Sequence, residues 1–147
     1  MQPIPISQNP PPVSIPFIEE IRYLPPFISK AEIDTLKKVD LYQLLVTNPE
    51  TTFAFKVAKD DDSMVDAHIP PKSWLIVDKA KGTKARSSDI VIAIINGKYV
   101  VKRLYKHSKV IRLLAENKAK AYPPIEFSEV KEFLIWGVVE HVIISFL

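Results

Sequence analysis

Among the residues able to do chemistry in this 147-residue chain, one serine and one lysine stand out. Ser63 follows three aspartates in "AKDDDSMVDAHIPPKSWLIVD", residues 58–78. Ser and Asp satisfy free N–H groups where a helix or turn opens, so one reading of Ser63 is a cap and the other is a nucleophile. Lys102 lies in "KYVVKRLYK". Strand alternation there puts Val100, Lys102 and Leu104 on one face and Tyr99, Val101 and Arg103 on the other. A cation between two apolar neighbours either extends to water along its stem or is desolvated, and desolvation lowers its pKa toward that of a base working near neutrality. A desolvated amine within hydrogen-bond reach of a hydroxyl activates serine without histidine.

Other chemistries find less support. The chain has no cysteine, which excludes disulfides, thiolate metal sites and cysteine nucleophiles. His68, His107 and His141 are far apart and lack ligand spacing, so no metal site is expected. Only Gly82, Gly97 and Gly137 are present, too few for a glycine-rich phosphate loop, and no cofactor is implied. Asp60 to Asp62 read as a solvated acidic turn, and Trp74 and Trp136 as core or interface aromatics. A net charge of +3 neither demands nor forbids a nucleic-acid partner.

The elements that must position Ser63 and Lys102 read as mostly β. Eight of the 13 prolines fall in residues 1–26, where missing N–H donors and a fixed φ oppose helix interiors and central strands. Residues 1–28 therefore form an extended arm, whose apolar residues suit docking as a polyproline or edge-strand segment. Residues 29–50 are a short helical connector, with Ser29 and Glu32 at capping-box spacing. Residues 51–147 are a β domain. Its strands are "TTFAFKVA", "SWLIVD", "DIVIAIIN", "NGKYVVKRLY", "KVIRLL" and "KEFLIWGVVEHVIISFL", with an Asn96-Gly97 hairpin turn and a bulge or bend at Gly137. The result is a compact, curled, mostly antiparallel sheet with short helical turns. The closing run Phe133 to Phe146 is apolar with few edge-protecting charges, which predicts a homodimer covering part of it. With no leader pattern and no long apolar run, the expected location is cytoplasmic and away from membranes.

Taken in order, "DDSMVDAHIPPKSWLIVD", "SSDIVIAIINGKYVVKRL", "AENKAKAYPPI" and "WGVVEHVI" resemble the peptidase domain of the LexA and UmuD family. "DLYQLLVTNPETTFAFKV" is similar to the UmuD branch, the short form without a DNA-binding domain. The resemblance implies a Ser-Lys serine peptidase with Ser63 as nucleophile and Lys102 as general base. It also implies an oxyanion site at the backbone of Asp62 and Ser63. The family cuts its own arm at an Ala-Gly or Cys-Gly bond after contact with a RecA filament in the SOS response to DNA damage. The trimmed homodimer then serves a UmuC-like translesion polymerase, without sequence-specific DNA binding. Here Pro25-Pro26 stands at the cleavage position and the chain contains no Ala-Gly or Cys-Gly bond, so cleavage at that place is not expected. The family's glycine two residues before the nucleophile is Asp61 here, an added charge at the oxyanion turn. Two alternatives remain open: a non-cleaving dimeric binding subunit, and a stand-alone relative of repressor C-terminal domains.

Overall fold

The computed structural model describes residues 1–16, 29–31 and 37–147. Among them, β1 (Ile4–Pro5), β4 (Thr52–Lys56), β5 (Trp74–Asp78), β6 (Ile90–Ile95), β7 (Lys98–His107), β8 (Val110–Leu114), β9 (Ile125–Glu126) and β10 (Phe133–Ile143) form one antiparallel sheet. Its spatial order is β1-β4-β5-β10-β6-β7-β8-β9. β2 (Ser14–Pro16) and β3 (Lys38–Asp40) pair separately, and β3 leads into a one-turn helix, α1 (Leu41–Leu45). Asp40 caps that helix, its Oδ1 accepting from the N–H groups of Tyr42 at 2.9 Å and Gln43 at 3.4 Å. The capping pair read at Ser29 and Glu32 lies partly outside the described residues, at Glu32.

The mostly β expectation holds. At the β6–β7 hairpin both Asn96 (φ 48°) and Gly97 (φ 81°) take the left-handed conformation that a two-residue primed turn demands. β10 pairs with β6 through Phe133 to Val138 and with β5 through Val138 to Ile143. Register shifts at Ile135/Gly137 and Val139/His141 let this one strand bend between its two partners. Close packing is why position 137 is glycine: a Cβ there would stand 2.8 Å from Val77 Cγ1 and 3.1 Å from the Asp78 carbonyl oxygen.

The alternation read in β7 also holds. Tyr99 and Val101 pack with Phe55, Met64, Leu75 and Trp136 in one apolar cluster, while Val100 and Leu104 join Val91, Ala93 and Leu113 in another. Trp136 anchors the first cluster with edge-to-face contacts to Phe53, Phe55 and Tyr99 at centroid distances of 5.2, 5.2 and 5.8 Å. Because both faces are covered at this point, β5 and β6 carry nearly unbroken apolar runs rather than an alternation.

The start of the arm is part of the sheet. β1 pairs antiparallel with β4, Ile4 opposite Ala54 and Pro5 opposite Phe53. Tyr42 Oη donates to the carbonyl oxygens of Ser7 at 2.6 Å and Gln8 at 3.2 Å, and Met1 packs against the first cluster. Asp78, fully buried at the end of β5, ties in the segment that precedes β4. It accepts from Asn48 Nδ2 (2.8 Å), Thr51 Oγ1 (2.7 Å) and the Ala80 N–H (3.0 Å). Burial pushes its carboxyl up, but these donors together outweigh burial and hold it below the ordinary carboxylate range. Among the described residues, no helix is long and apolar enough to cross a membrane.

Candidate active site

Ser63 lies in the connection from β4 to a short 3-10 turn, Val65–Ala67. The chain there is folded back on itself, the Asp61 N–H donating to the Ala58 carbonyl at 3.1 Å and the Ile69 N–H to the Met64 carbonyl at 3.2 Å. The 3-10 turn opens at Met64 without any side-chain cap, and it closes at His68 in the left-handed conformation (φ 64°). Ser63 therefore does not cap this turn. Its side chain is buried, with 1% of its surface exposed, between neighbours Asp61 and Lys102.

Lys102 Nζ donates to Ser63 Oγ at 2.7 Å. The lysine comes from the middle of β7, opposite the fully buried Val91 of β6, and is itself half-buried. That burial lowers its pKa, and the nearby Asp61 carboxylate opposes the shift without cancelling it. Ser63 Oγ in turn donates to Asp61 Oδ1 at 2.7 Å, and the same oxygen accepts the Ser63 backbone N–H at 3.0 Å. Of the two backbone groups expected at the oxyanion site, that of Ser63 is thus held by Asp61.

The segment after β8 fixes this turn in place. The Glu116 N–H donates to the Ser63 carbonyl (2.8 Å), the Asp66 N–H to the Glu116 carbonyl (2.9 Å), and Asn117 Nδ2 to the Asp62 carbonyl (2.8 Å). Glu116 also pairs with Arg103, the residue after Lys102, through Oε2 at 3.0 Å. Asp62 itself accepts from Lys120 Nζ and Tyr122 Oη, the lysine first, and both hold its carboxyl below the ordinary range. "AENKAKAY" is accordingly a clasp on the serine turn, made by backbone and side chain together.

The profile of the Peptidase S24-like family matches residues 25–140. The chain belongs to the S24 peptidase family. It is similar to a LexA repressor 2 from Geobacter sulfurreducens, 35% identical over 133 residues that make up 90% of this chain and 61% of the relative. A LexA repressor from Caldicellulosiruptor saccharolyticus is 41% identical over 81 residues, 55% of this chain and 38% of the relative. Another, from Desulfitobacterium hafniense, is 33% identical over 107 residues, 71% of this chain and 48% of the relative. The chain thus spans between 38% and 61% of the lengths of these relatives. These S24 relatives carry the names of repressors, and the UmuD branch is not among those named.

In this part of the fold the structure brings together Ser63 and Lys102, which the sequence places far apart. Pro25 and Pro26, the cleavage-site equivalents, lie outside the described residues. Reading the sequence alone missed the direct bond from Ser63 to Asp61 and the Glu116, Asn117, Lys120 and Tyr122 clasp. The first carried a signal, a carboxylate two residues before the serine, where an Asx-type turn is common. The second was marked only as a motif of the resemblance, "AENKAKAYPPI", because nothing in the spacing brings residues 116–122 to residue 63.

Proposed function

We propose that this chain is a Ser-Lys peptidase in which Ser63 is the nucleophile and Lys102 the general base. The observation that carries the reading is the 2.7 Å approach of Lys102 Nζ to a buried Ser63 Oγ, made by a lysine whose burial favours the neutral amine. In the reaction, neutral Lys102 takes the Ser63 proton as Oγ adds to a peptide carbonyl. The lysine's proton then passes to the leaving amine as the C–N bond breaks. A water then gives its proton to Lys102 as it adds to the acyl carbonyl, and Lys102 passes that proton to Ser63 Oγ as the ester C–O bond breaks, which returns the enzyme. Labelling with a fluorophosphonate tests this: wild type takes up one adduct at Ser63 at alkaline pH, and Ser63→Ala takes up none. Labelling that persists in Ser63→Ala would sink the assignment.

The substrate class is a polypeptide chain, either the arm at a bond other than Pro25-Pro26 or a partner protein. A finer reading makes the protein a UmuD-like accessory subunit of a UmuC-like translesion polymerase in the SOS response, triggered by a RecA filament. It is supported by the similarity of Asp40 to Val57 to the UmuD branch. Retention of such a polymerase on the immobilised protein is its test, and loss of all retention would count against it.

A homodimer belongs to the same proposal, on different grounds from those the sequence offered. β10 is paired on both sides, so it is not the exposed edge that its apolar run suggested; the outer strands β1 and β9 are only two residues long. What favours association is instead the exposed side chains of Leu134, Ile143, Ile144 and Phe146 on and after β10. Sedimentation equilibrium at micromolar concentration should give twice the chain mass. A monomer there would remove the proposal.

A further inference from the structure

Two bonds in the site oppose acylation. For Lys102 to accept the Ser63 proton, that proton must point at the amine, yet Ser63 Oγ donates to Asp61 Oδ1 and accepts from Lys102 Nζ. For an oxyanion to form beside Ser63, its backbone N–H must be free, yet that N–H also goes to Asp61 Oδ1, at 3.0 Å. One carboxylate oxygen therefore holds both groups that acylation needs. Lys102 and Asp61 are bonded to the same hydroxyl oxygen, so their charges fall within the roughly 4–6 Å at which opposite charges reinforce each other.

We propose that Asp61 is a positioning residue that holds this site at rest, and that an incoming polypeptide must displace its carboxylate before Ser63 can react. The inference rests on the Ser63–Lys102 reading above and adds to it a reason for restrained activity. Asp61 acts through its neighbours and touches no reacting carbon. Its carboxylate keeps the serine proton turned from the lysine, occupies the Ser63 N–H, and favours the protonated lysine that cannot act as a base. Three neighbouring carboxylates are engaged elsewhere: Glu116 with Arg103, Asp62 with Lys120 and Tyr122, and Asp66 with the Lys118 N–H. Among the described residues, Asp61 is thus the charged group that bears on the lysine, opposing the effect of desolvation on its proton affinity. An entering carbonyl that took the Ser63 N–H would displace Asp61 Oδ1, freeing the hydroxyl to turn toward Lys102. Substrate binding and activation would then be a single event.

Two substitutions separate charge from space. Asp61→Asn keeps an oxygen able to accept from both Ser63 groups but removes the charge. Asp61→Gly removes the oxygen as well and frees the N–H. The full-length protein is studied by NMR of the Lys102 side chain, which reads the amine's titration directly, and by fluorophosphonate labelling between pH 6 and 10. In Asp61→Asn the Lys102 midpoint is expected to move down by about one pH unit, with labelling at pH 7 rising by about tenfold. In Asp61→Gly labelling should rise further. A Lys102 midpoint that stays in place or rises in Asp61→Asn overturns the proposal, as does a folded Asp61→Gly protein, checked by circular dichroism, that is labelled no faster than wild type. If wild type and both variants remain unlabelled at every pH, the nucleophile reading fails. The NMR midpoint alone then decides whether Asp61 governs the lysine.

Discussion

Lys102→Met is expected to abolish serine-directed labelling at every pH while making the protein more resistant to heat. The first effect follows from the geometry: without an amine at 2.7 Å, Ser63 Oγ keeps only the Asp61 carboxylate beside it, and a carboxylate is too weak a base to deprotonate a serine hydroxyl. Loss of a positioned general base typically costs a factor of about 10²–10⁴, and here the lysine also orients the nucleophile. Lys102→Arg should not rescue, because a guanidinium stays protonated and its planar fork does not fit the place of one nitrogen. In wild type the dependence on pH has a definite sign. The neutral amine is the active form, so labelling falls as pH drops through the lowered Lys102 pKa and levels off above it.

The second effect is linkage. The folded pKa of Lys102 lies below that of the unfolded chain, so between the two values the unfolded chain binds more protons and stability rises with pH. Below the folded value the buried ammonium weakens the fold by the full amount. The gain from Lys102→Met should therefore be largest at acidic and neutral pH and shrink toward pH 10. Thermal unfolding at pH 6 and pH 10 measures it. A variant less stable than wild type at pH 6 would show that the lysine's bonds to its neighbours outweigh its desolvation, and the functional cost attributed to this position would be wrong.

How much of this was legible in the sequence differs from element to element, for physical reasons. The strands were, because alternation in β7, unbroken apolar runs in β5 and β6 and the Asn96-Gly97 turn each state a local backbone preference. The bulge at Gly137 was legible as a place without a side chain, though the reason for it, the approach of Val77 and the Asp78 carbonyl, is a tertiary fact. Lys102 could be singled out by its apolar strand neighbours, but its pairing with Ser63 came from a resemblance in the order of motifs and not from spacing. Local sequence misled on Ser63, since its aspartate-rich context reads as a cap while the turn begins at Met64 without one. It was silent on Asp78, whose partners Asn48 and Thr51 are about 30 residues away and hold a buried carboxylate that composition alone would place on the surface. The strand order itself, with the closing strand in the middle of the sheet, depends on long-range pairing that no window reports.

Substituting Pro25→Ala and Pro26→Gly together should turn the chain into a self-cleaving protein whose cut arm nevertheless stays bound. Proline after the scissile carbonyl would give a rigid tertiary amide that restricts approach of the nucleophile, and the pair stands where the family resemblance implies an Ala-Gly or Cys-Gly bond. Flanking Leu24 and Phe27 are retained, so the restored bond keeps the apolar neighbours that would seat it. Denaturing mass measurement is expected to show two fragments after incubation at alkaline pH or with an activated RecA filament, and none in the same chain carrying Ser63→Ala. Under native conditions the fragments should still elute together. Residues N-terminal to the cut supply β1, paired to β4, and the carbonyls of Ser7 and Gln8 that Tyr42 Oη grips, while β2 pairs with β3 on the far side of the cut. Two short strands and a pair of hydrogen bonds hold modestly, so dilute denaturant well below global unfolding should release the fragment. Cleavage would then work as a nick that loosens the arm, with release a separate and tunable step. A fragment lost at once on native gel filtration would mean that β1 and β2 do not hold the arm. A restored chain that stays intact, even when Asp61→Gly is added, would argue that the arm is not the substrate and direct the search toward a partner protein.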